Sequence, residues 1–372
     1  MSQLKHSYMS QNRIEKLITE LCPNGVEYFD LGGVIKLEKG RQLNRELLTE
    51  DGLYPAYNGG VSYSGFTDIY NYNENTIIIS QGGASAGFVN FVTRKFYANA
   101  HCYVILPKIE IVNNRFVFHF LKLNQALLTQ KQQGAGIPGL KTTEILELKI
   151  PVPPLPIQQE IVKILDSFTE LEADLEAELE MRRKQFEYYR MDLLLTKNEG
   201  DLKSLGDIYD FQYGEGNTIP NKGGEYPVFG GNRLAGQHYK FNSEDAPVIG
   251  HIGAYAGIVN WVNGKHFVTY NGVICKIRTG INPRFGYHLL MIQDFRSKAN
   301  SWSQPFVSYS MLEKVEVKIP DTEIQDKIVN ILDKLGALVN DTSIGLPAEL
   351  SARGKQYEYY RNKLLSFKPL EK

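Results

Sequence analysis

The chain has 372 residues, 42% of them hydrophobic, and a formal net charge of −1. That length holds two or three domains, and no apolar run approaches the ~20 residues of a membrane helix. The N-terminus, Met1-Ser2-Gln3-Leu4-Lys5-His6-Ser7, has no apolar signal core, and Cys22, Cys102 and Cys275 form neither a disulfide framework nor a zinc pattern, so a cytoplasmic protein is expected.

Residues 10–21 read as a short amphipathic helix, ended by Cys22-Pro23-Asn24-Gly25. Residues 26–150 read as a β-rich domain with long loops. Its expected strands are Val34–Leu37, Thr76–Ser80, Tyr103–Leu106 and Ile145–Ile150, and only Arg115–Leu128 has a helical pattern. Pro151-Val152-Pro153-Pro154-Leu155-Pro156 reads as a stiff, extended linker unable to continue a sheet.

Ile157–Leu195 reads as one long helix. Ile157, Ile161, Ile164, Phe168, Leu171 and Leu175 fall in steps of four and three, a heptad seam. The step to Leu179 is a stutter, after which the seam resumes at Phe186, Tyr189 and Leu193. Glu170, Glu172, Glu176, Glu178 and Glu180 make a solvated face, and residues 155–197 carry ten acids against six bases.

Residues 198–320 repeat the β-rich plan. Leu205-Gly206-Asp207-Ile208 echoes Leu31-Gly32-Gly33-Val34, Tyr226-Pro227-Val228-Phe229 echoes Tyr54-Pro55-Ala56-Tyr57, and Ala256-Gly257-Ile258-Val259-Asn260 echoes Ala86-Gly87-Phe88-Val89-Asn90. The frames match while the loops differ, which suggests two binding surfaces with two targets. The long helix returns as Ile324-Gln325-Asp326-Lys327-Ile328, with a seam expected at Ile324, Ile328, Ile331, Leu335 and Leu338. It ends Gln356-Tyr357-Glu358-Tyr359-Tyr360-Arg361, matching Gln185-Phe186-Glu187-Tyr188-Tyr189-Arg190. The second copy is four residues longer, and Gly345-Leu346-Pro347 marks a kink or a helix restart.

Catalytic motifs are weak. Asn282-Pro283-Arg284-Phe285 resembles the Asn-Pro-Pro-Phe/Tyr motif of amino-methyltransferases, but Arg284 replaces the second proline and no strand with a Gly-rich cofactor loop precedes it. Glu147-Leu148-Lys149 and Glu316-Val317-Lys318 match part of a metal nuclease motif, yet strand alternation accounts for both. There is no phosphate loop and no Gly-x-Ser-x-Gly. His6, His101, His119, His238, His251, His266 and His288 lack metal spacing and read as surface or loop residues.

Two β-rich domains alternating with two matching helices, together with Leu21-Cys22-Pro23-Asn24-Gly25-Val26-Glu27-Tyr28 and Pro153-Pro154-Leu155-Pro156-Ile157-Gln158-Gln159-Glu160-Ile161-Val162, resemble the specificity subunit of type I restriction-modification enzymes over essentially the whole chain. The resemblance implies an α+β fold with pseudo-two-fold symmetry. Two target recognition domains each read half of a bipartite DNA sequence, and two long antiparallel helices form a coiled coil that sets the spacer. The implied domains are residues 1–154 (N-terminal helix and first recognition domain), 155–197 (central helix), 198–320 (second recognition domain) and 321–372 (C-terminal helix). The implied partners are double-stranded DNA, two modification subunits that methylate adenine and two restriction subunits with translocase and nuclease activity. This chain would be non-catalytic and bind no cofactor, with S-adenosylmethionine, ATP and Mg on the partners.

Base reading calls for Arg, Asn, Gln and apolar groups; phosphate contacts call for Lys, Arg, hydroxyls and backbone amides. On that chemistry the DNA-binding candidates of the first domain are Arg41, Gln42, Asn44, Arg45, Tyr57, Asn58, Tyr63, Gln81, Ser85, Lys131, Gln132 and Gln133, with Gly134-Ala135-Gly136 beside the last. Those of the second are Tyr213, Asn217, Lys222, Asn232, Arg233, His251, Tyr255, Lys298, Trp302, Gln304 and Ser308. Tyr188, Tyr189 and Arg190, with Tyr359, Tyr360 and Arg361, are expected in helix pairing or in modification-subunit docking. The rival readings are a stand-alone DNA-binding or architectural protein, and a coiled-coil adaptor for protein or carbohydrate.

Overall fold

A computed structural model describes residues 13–131, 139–196, 200–231, 234–300 and 304–371. They form two compact units, Met1–Leu175 with Leu350–Lys372, and Glu176–Glu349.

The first unit opens with helix α1 (13–21), then β1 (Tyr28–Asp30), α2 (Leu31–Val34), β2 (Ile35–Lys39), β3 (Tyr54–Tyr57), β4 (Gly65–Thr67), β5 (Thr76–Ser80), β6 (Val89–Val92), β7 (Tyr97–Ala98) and β8 (Cys102–Pro107). There follow α3 (Asn114–Leu123), α4 (Gln125–Gln130), α5 (Thr142–Leu146) and β9 (Lys149–Pro151). The sheets run β2-β8-β5-β6, β4-β3-β7 and β1-β9. Every residue of β5, Thr-Ile-Ile-Ile-Ser, is buried, because this strand lies between β8 and β6 and is covered on both faces, so it shows a continuous β-branched run and not an alternating one.

Four expectations are corrected here. Val34 closes a helical turn, and its strand begins at Ile35. Ile145 and Leu146 belong to α5, which packs directly over α2: a Cβ at Gly32 would lie 3.3 Å from the Leu146 side chain. The helix of Arg115–Leu128 breaks at Asn124, whose side chain donates to the Phe120 carbonyl (2.8 Å) and competes with the helical ladder. Pro151 does extend a sheet, pairing with Tyr28 at the end of a two-stranded ribbon that needs no N–H from it, while Leu155 and Pro156 already lie in the first turn of the long helix.

That helix, α6 (Leu155–Met191), has 37 residues and is about 55 Å long, and a π turn at Asp192–Thr196 follows it. Ile157, Ile161, Ile164, Phe168, Leu175, Leu179 and Phe186 are buried along it as the seam requires. Leu171 and Leu193 are only half-buried, and Tyr189 is 38% exposed, its neighbour Arg190 being buried instead.

The second unit contains β10 (Asp201–Ser204), α7 (Leu205–Ile208), β11 (Tyr209–Tyr213), β12 (Tyr226–Phe229), β13 (Leu234–His238), β14 (Ser243–Gly250), β15 (Val259–Val268) and β16 (Gly272–Ile277). Then come α8 (Pro283–Met291), α9 (Phe295–Lys298), α10 (Tyr309–Glu313), β17 (Glu316–Ile319) and α11 (Thr322–Asn340). Its main sheet runs β11-β16-β14-β15-β12-β13. This is the connectivity of the first unit, with one long β15 where that unit has β6 and β7, and with β12 parallel to β15 as β3 is to β7.

Helix α11 buries Gln325, Ile328, Leu332 and Val339, while Ile324, Ile331 and Leu338 are exposed, so its seam is rotated from the expected one. A turn ends α11, and α12 (Leu346–Leu364) restarts with Pro347 in its first turn, as Gly345-Leu346-Pro347 indicates. From residue 350 onward α12 belongs to the first unit. There Tyr360 stacks on Phe168 (5.3 Å, 21°), and Gly354 lies beside Glu172, so α12 runs antiparallel to the first part of α6. The tail closes the unit: Val26 N donates to Lys368 O, Leu370 N to Val26 O, and the Tyr28 hydroxyl to Phe367 O.

Candidate nucleic-acid interface

Each unit fixes its β-rich part to a long helix by the same buried polar device. In the first, Asn113 caps α3 by accepting from the backbones of Arg115 and Phe116, and its own N–H donates to Gln158 Oε1 (2.7 Å). Gln158 is fully buried and donates to the carbonyls of Pro153 and Ile111. In the second unit Asn282 caps α8, its N–H donates to Gln325 Oε1 (2.8 Å), and Gln325 donates to Pro320 O. The Asn282-Pro283-Arg284-Phe285 motif is therefore a helix cap.

One turn further along, Arg115 and His119 both donate to Asp166, and Arg284 and His288 both donate to Asp333. Burial alone would raise the Asp166 and Asp333 carboxyls; the hydrogen bonds from these partners outweigh it and hold both below the usual range. Burial also lowers both histidines, His288 to about 4. The histidines expected at the surface include four that are buried: His119, His251, His266 and His288.

At the end of the sheet opposite no single helix but several loops meet. In the first unit Asn99 is their hub. Its N–H donates to Tyr57 O, and its Oδ1 accepts from Leu43 N and Ala100 N. Arg41 N donates to Ala98 O, Gln81 N to His101 O, and Leu140 N to Gln81 O. Five chain segments are thus tied to one another, mainly by backbone bonds, which leaves most of their side chains free to vary. The second unit repeats the four backbone-to-backbone bonds: Thr269 N to Phe229 O, Glu215 N to Val268 O, His251 N to Asn271 O, and Val307 N to His251 O. The shared frame sets position against position. Arg41 corresponds to Glu215, Gln81 to His251, Ala100 to Tyr270 and His101 to Asn271.

Of the expected first-domain residues, this frame gathers Arg41, Gln42, Tyr57, Asn58 and Gln81, with Asn44 and Arg45 continuing from Leu43 as an exposed turn. Tyr63 packs edge-on against Tyr57 (6.4 Å). Ser85 sits half-buried in the β5–β6 turn, where its carbonyl accepts from Phe88 N. Lys131 forms an ion pair with Glu144 (2.7 Å). Gln132, Gln133 and Gly134–Gly136 lie outside the described residues.

In the second unit Tyr213 stacks on Tyr309 (3.9 Å, 17°) and lies 4.3 Å from His251. His251, expected to touch DNA, is 7% exposed and its Nδ1 bonds the Val307 carbonyl (2.8 Å); it supports the rings around it and presents little to solvent. Burial pushes the Tyr309 hydroxyl up to about 12, so it stays neutral. Tyr255 is 45% exposed and flanks Gly231. Asn217, Lys222, Lys298 and Gln304 are exposed on loops or helix ends, and Ser308 precedes α10 with its hydroxyl 3.1 Å from that of Ser310. Asn232, Arg233 and Trp302 lie outside the described residues.

Lys39, His101, Tyr270, Asn271 and Tyr309 belong to the same patches and carried no expectation. The signal available was the alignment of the two halves through Gly40 and Gly214, whose N–H groups donate to Cys102 O and Gly272 O.

Of the paired-helix residues, Tyr188 (66%) and Tyr359 (63%) are exposed. Tyr360 packs on Phe168, and the Arg190 and Arg361 guanidinia cover the rings of Phe186 and Tyr357 (5.2 and 5.0 Å). Among the described residues no group of His, Cys, Asp and Glu is arranged to hold a metal, and no helix is long and apolar enough to cross a membrane.

The family model described as "Type I restriction modification DNA specificity domain" matches residues 23–181 and again 199–352. A putative type I restriction enzyme specificity subunit of Haemophilus influenzae is 28% identical, covering 96% of this chain and 100% of that protein. The EcoprrI specificity subunit of Escherichia coli is 37% identical over half of each chain. The crystal structure of a type I restriction-modification S subunit from M. genitalium superposes with a TM-score of 0.65 at 22% identity, covering 92% of this chain and 96% of that one, a likeness of fold.

Proposed function

The chain belongs to the type I restriction-modification DNA specificity family, and on that premise we propose that it reads a bipartite DNA target, one half with each β-rich domain. It is the recognition component of such a system and not its catalyst. The observation that carries the proposal is the duplicated five-segment frame: the same backbone bonds around Asn99 and Thr269 present Arg41, Gln81 and His101 in one unit and Glu215, Tyr270 and Asn271 in the other. A constant scaffold with different side chains suits two different half-sites.

In this reading the recognition domains are residues 1–154 and 198–320, and the helices of 155–197 and 321–372 hold them at a set separation, so the spacer is a matter of geometry. Two modification subunits and two restriction subunits complete the assembly. S-adenosylmethionine, ATP and Mg belong to those partners. The exposed Tyr188 and Tyr359 are docking positions for a modification subunit.

The test is expression of the chain with its cognate methyltransferase in a host that lacks adenine methylation, followed by methylation-sensitive sequencing of the genome. A single interrupted motif is expected, made of two fixed halves and a fixed gap. Methylation at a continuous motif, or one that persists when the chain is removed, overturns the reading.

A further inference from the structure

The recognition patches of the two units differ in kind as well as in sequence. Where the first has Lys39, Gln81, Ala100 and Thr142, the second has Tyr213, His251, Tyr270 and Tyr309 at the same places in the shared frame. Four polar or small residues are replaced by four aromatic rings.

The rings are braced. Tyr213 and Tyr309 are stacked, His251 is locked against the Val307 carbonyl, and Tyr270 lies 5.4 Å from His251 and 5.7 Å from Tyr213. The Tyr270 N–H donates to Gly216 O (2.8 Å), which fixes its backbone, yet 46% of the residue remains exposed. A rigid ring with an open face presents apolar area without losing much conformational entropy on contact. Beside it stands Glu215, where the first unit has Arg41. A carboxylate repels phosphate, so the DNA backbone is directed away from this spot and a base edge is left to meet it. The one apolar group on a base edge in the major groove is the thymine C5-methyl.

Resting on the reading of this chain as a DNA specificity subunit, we propose that Tyr270, supported by Tyr213, His251 and Tyr309, is a specificity-determining residue of the second domain that reads a thymine methyl group. The first domain, with Ala100 at that position, reads its half-site through polar groups.

Complexes isolated through a tag on the full-length chain are used to select duplexes from a random pool, with the wild type, Tyr270→Ala and Tyr270→Phe. The wild type enriches an interrupted site. Tyr270→Ala loses its preference at one or two T·A pairs in one half only, and Tyr270→Phe keeps it because the ring is retained. Deoxyuridine in place of those thymines removes the methyl and weakens wild-type binding about fourfold per group, leaving Tyr270→Ala unaffected. The proposal is overturned if Tyr270→Ala selects the wild-type site, if Tyr270→Phe loses what Tyr270→Ala loses, or if deoxyuridine affects both proteins alike; in each case the parent reading survives. A wild-type complex that enriches no sequence overturns the parent reading, and this proposal with it.

Discussion

The Tyr357 hydroxyl lies 3.0 Å from Nδ1 of His119. Asp166 only accepts, so His119 Nε2 carries the proton, and Nδ1 must accept from Tyr357. At the matching place in the second copy the chain has Phe186, and His288 Nδ1 is buried with no hydrogen-bond partner among the described residues. The two Asp–Arg–His clusters thus differ in this hydroxyl. Tyr357→Phe should make the first copy like the second, leaving a buried acceptor unsatisfied at a cost of about 1–2 kcal/mol. A drop in the urea midpoint of the first unit with an unchanged second transition checks this; an unchanged first transition would mean that the hydroxyl bond contributes nothing net.

His288 also sets a pH dependence. Its folded-state pKa of about 4 lies below its ordinary value, chiefly through burial, with Arg284 and Arg190 adding to the effect and Asp333 opposing it. The unfolded chain therefore binds the proton first. Stability is full above about pH 6.5, falls as the pH drops from there to about 4, and loses up to about 3 kcal/mol over that window. The depressed Asp333 carboxyl acts in a different window, below its unfolded value near 4. Unfolding midpoints of wild type and His288→Gln, taken from pH 4 to 7, should converge at the acid end as the wild-type slope runs its course. Parallel profiles would exclude His288 as the source.

The long helix could be read from sequence because a seam of seven buried apolar residues runs along one continuous element, and the two frames could be aligned because their strands and glycine turns recur. Three kinds of feature escaped. Helix α11 has apolar residues in two phases, and periodicity could not choose between Ile324-Ile331-Leu338, which is exposed, and Ile328-Leu332-Val339, which is buried. Its buried Gln325 was invisible as a core residue, since its value lies in bonds to Asn282 and Pro320 that only the fold creates. The proposed recognition patch was half visible: arginines and glutamines announce themselves by type, whereas Tyr270 stands out only through its place opposite Ala100 in the shared frame.

Closure of the first unit by the chain's own tail gives a third prediction. Gly25 has φ +105°, and a Cβ there would lie 2.5 Å from the Pro369 carbonyl oxygen. Gly25→Ala should therefore push the tail away and break the bonds of Val26 to Lys368 and Leu370, about 1 kcal/mol each, besides straining the backbone. Truncation after Leu365 should lower the first unit's stability by a similar amount, and combining the two changes should cost little more than either alone. Fully additive losses would show that the glycine acts by conformation only.

Arg41 and Arg45 lie on one exposed loop anchored by Arg41 N to Ala98 O and by Leu43 N to Asn99. Both side chains are surface groups, so Arg41→Ala with Arg45→Ala should weaken DNA binding and spare folding and assembly. If both meet phosphates, the slope of log affinity against log salt falls by about two. Weaker binding with an unchanged slope would assign them to base edges, and unchanged affinity at physiological salt would remove the loop from the interface.

The glutamines at the start of the two long helices make the strongest case for a duplicated anchor. Gln158 and Gln325 are 0% and 1% exposed, and each joins a helix-capping asparagine to a proline carbonyl before its helix. Replacing either with Leu keeps most of the volume but strands a buried N–H and a buried carbonyl, at about 2–4 kcal/mol. The two anchors share no partner, so their losses should add within about 0.5 kcal/mol, each falling on its own unit. Protease mapping of each single variant should open the loops around α3 for Gln158→Leu and around α8 for Gln325→Leu. If both variants open the same loops, the anchors are not independent, and the duplicated device is not what ties each β-rich part to its helix.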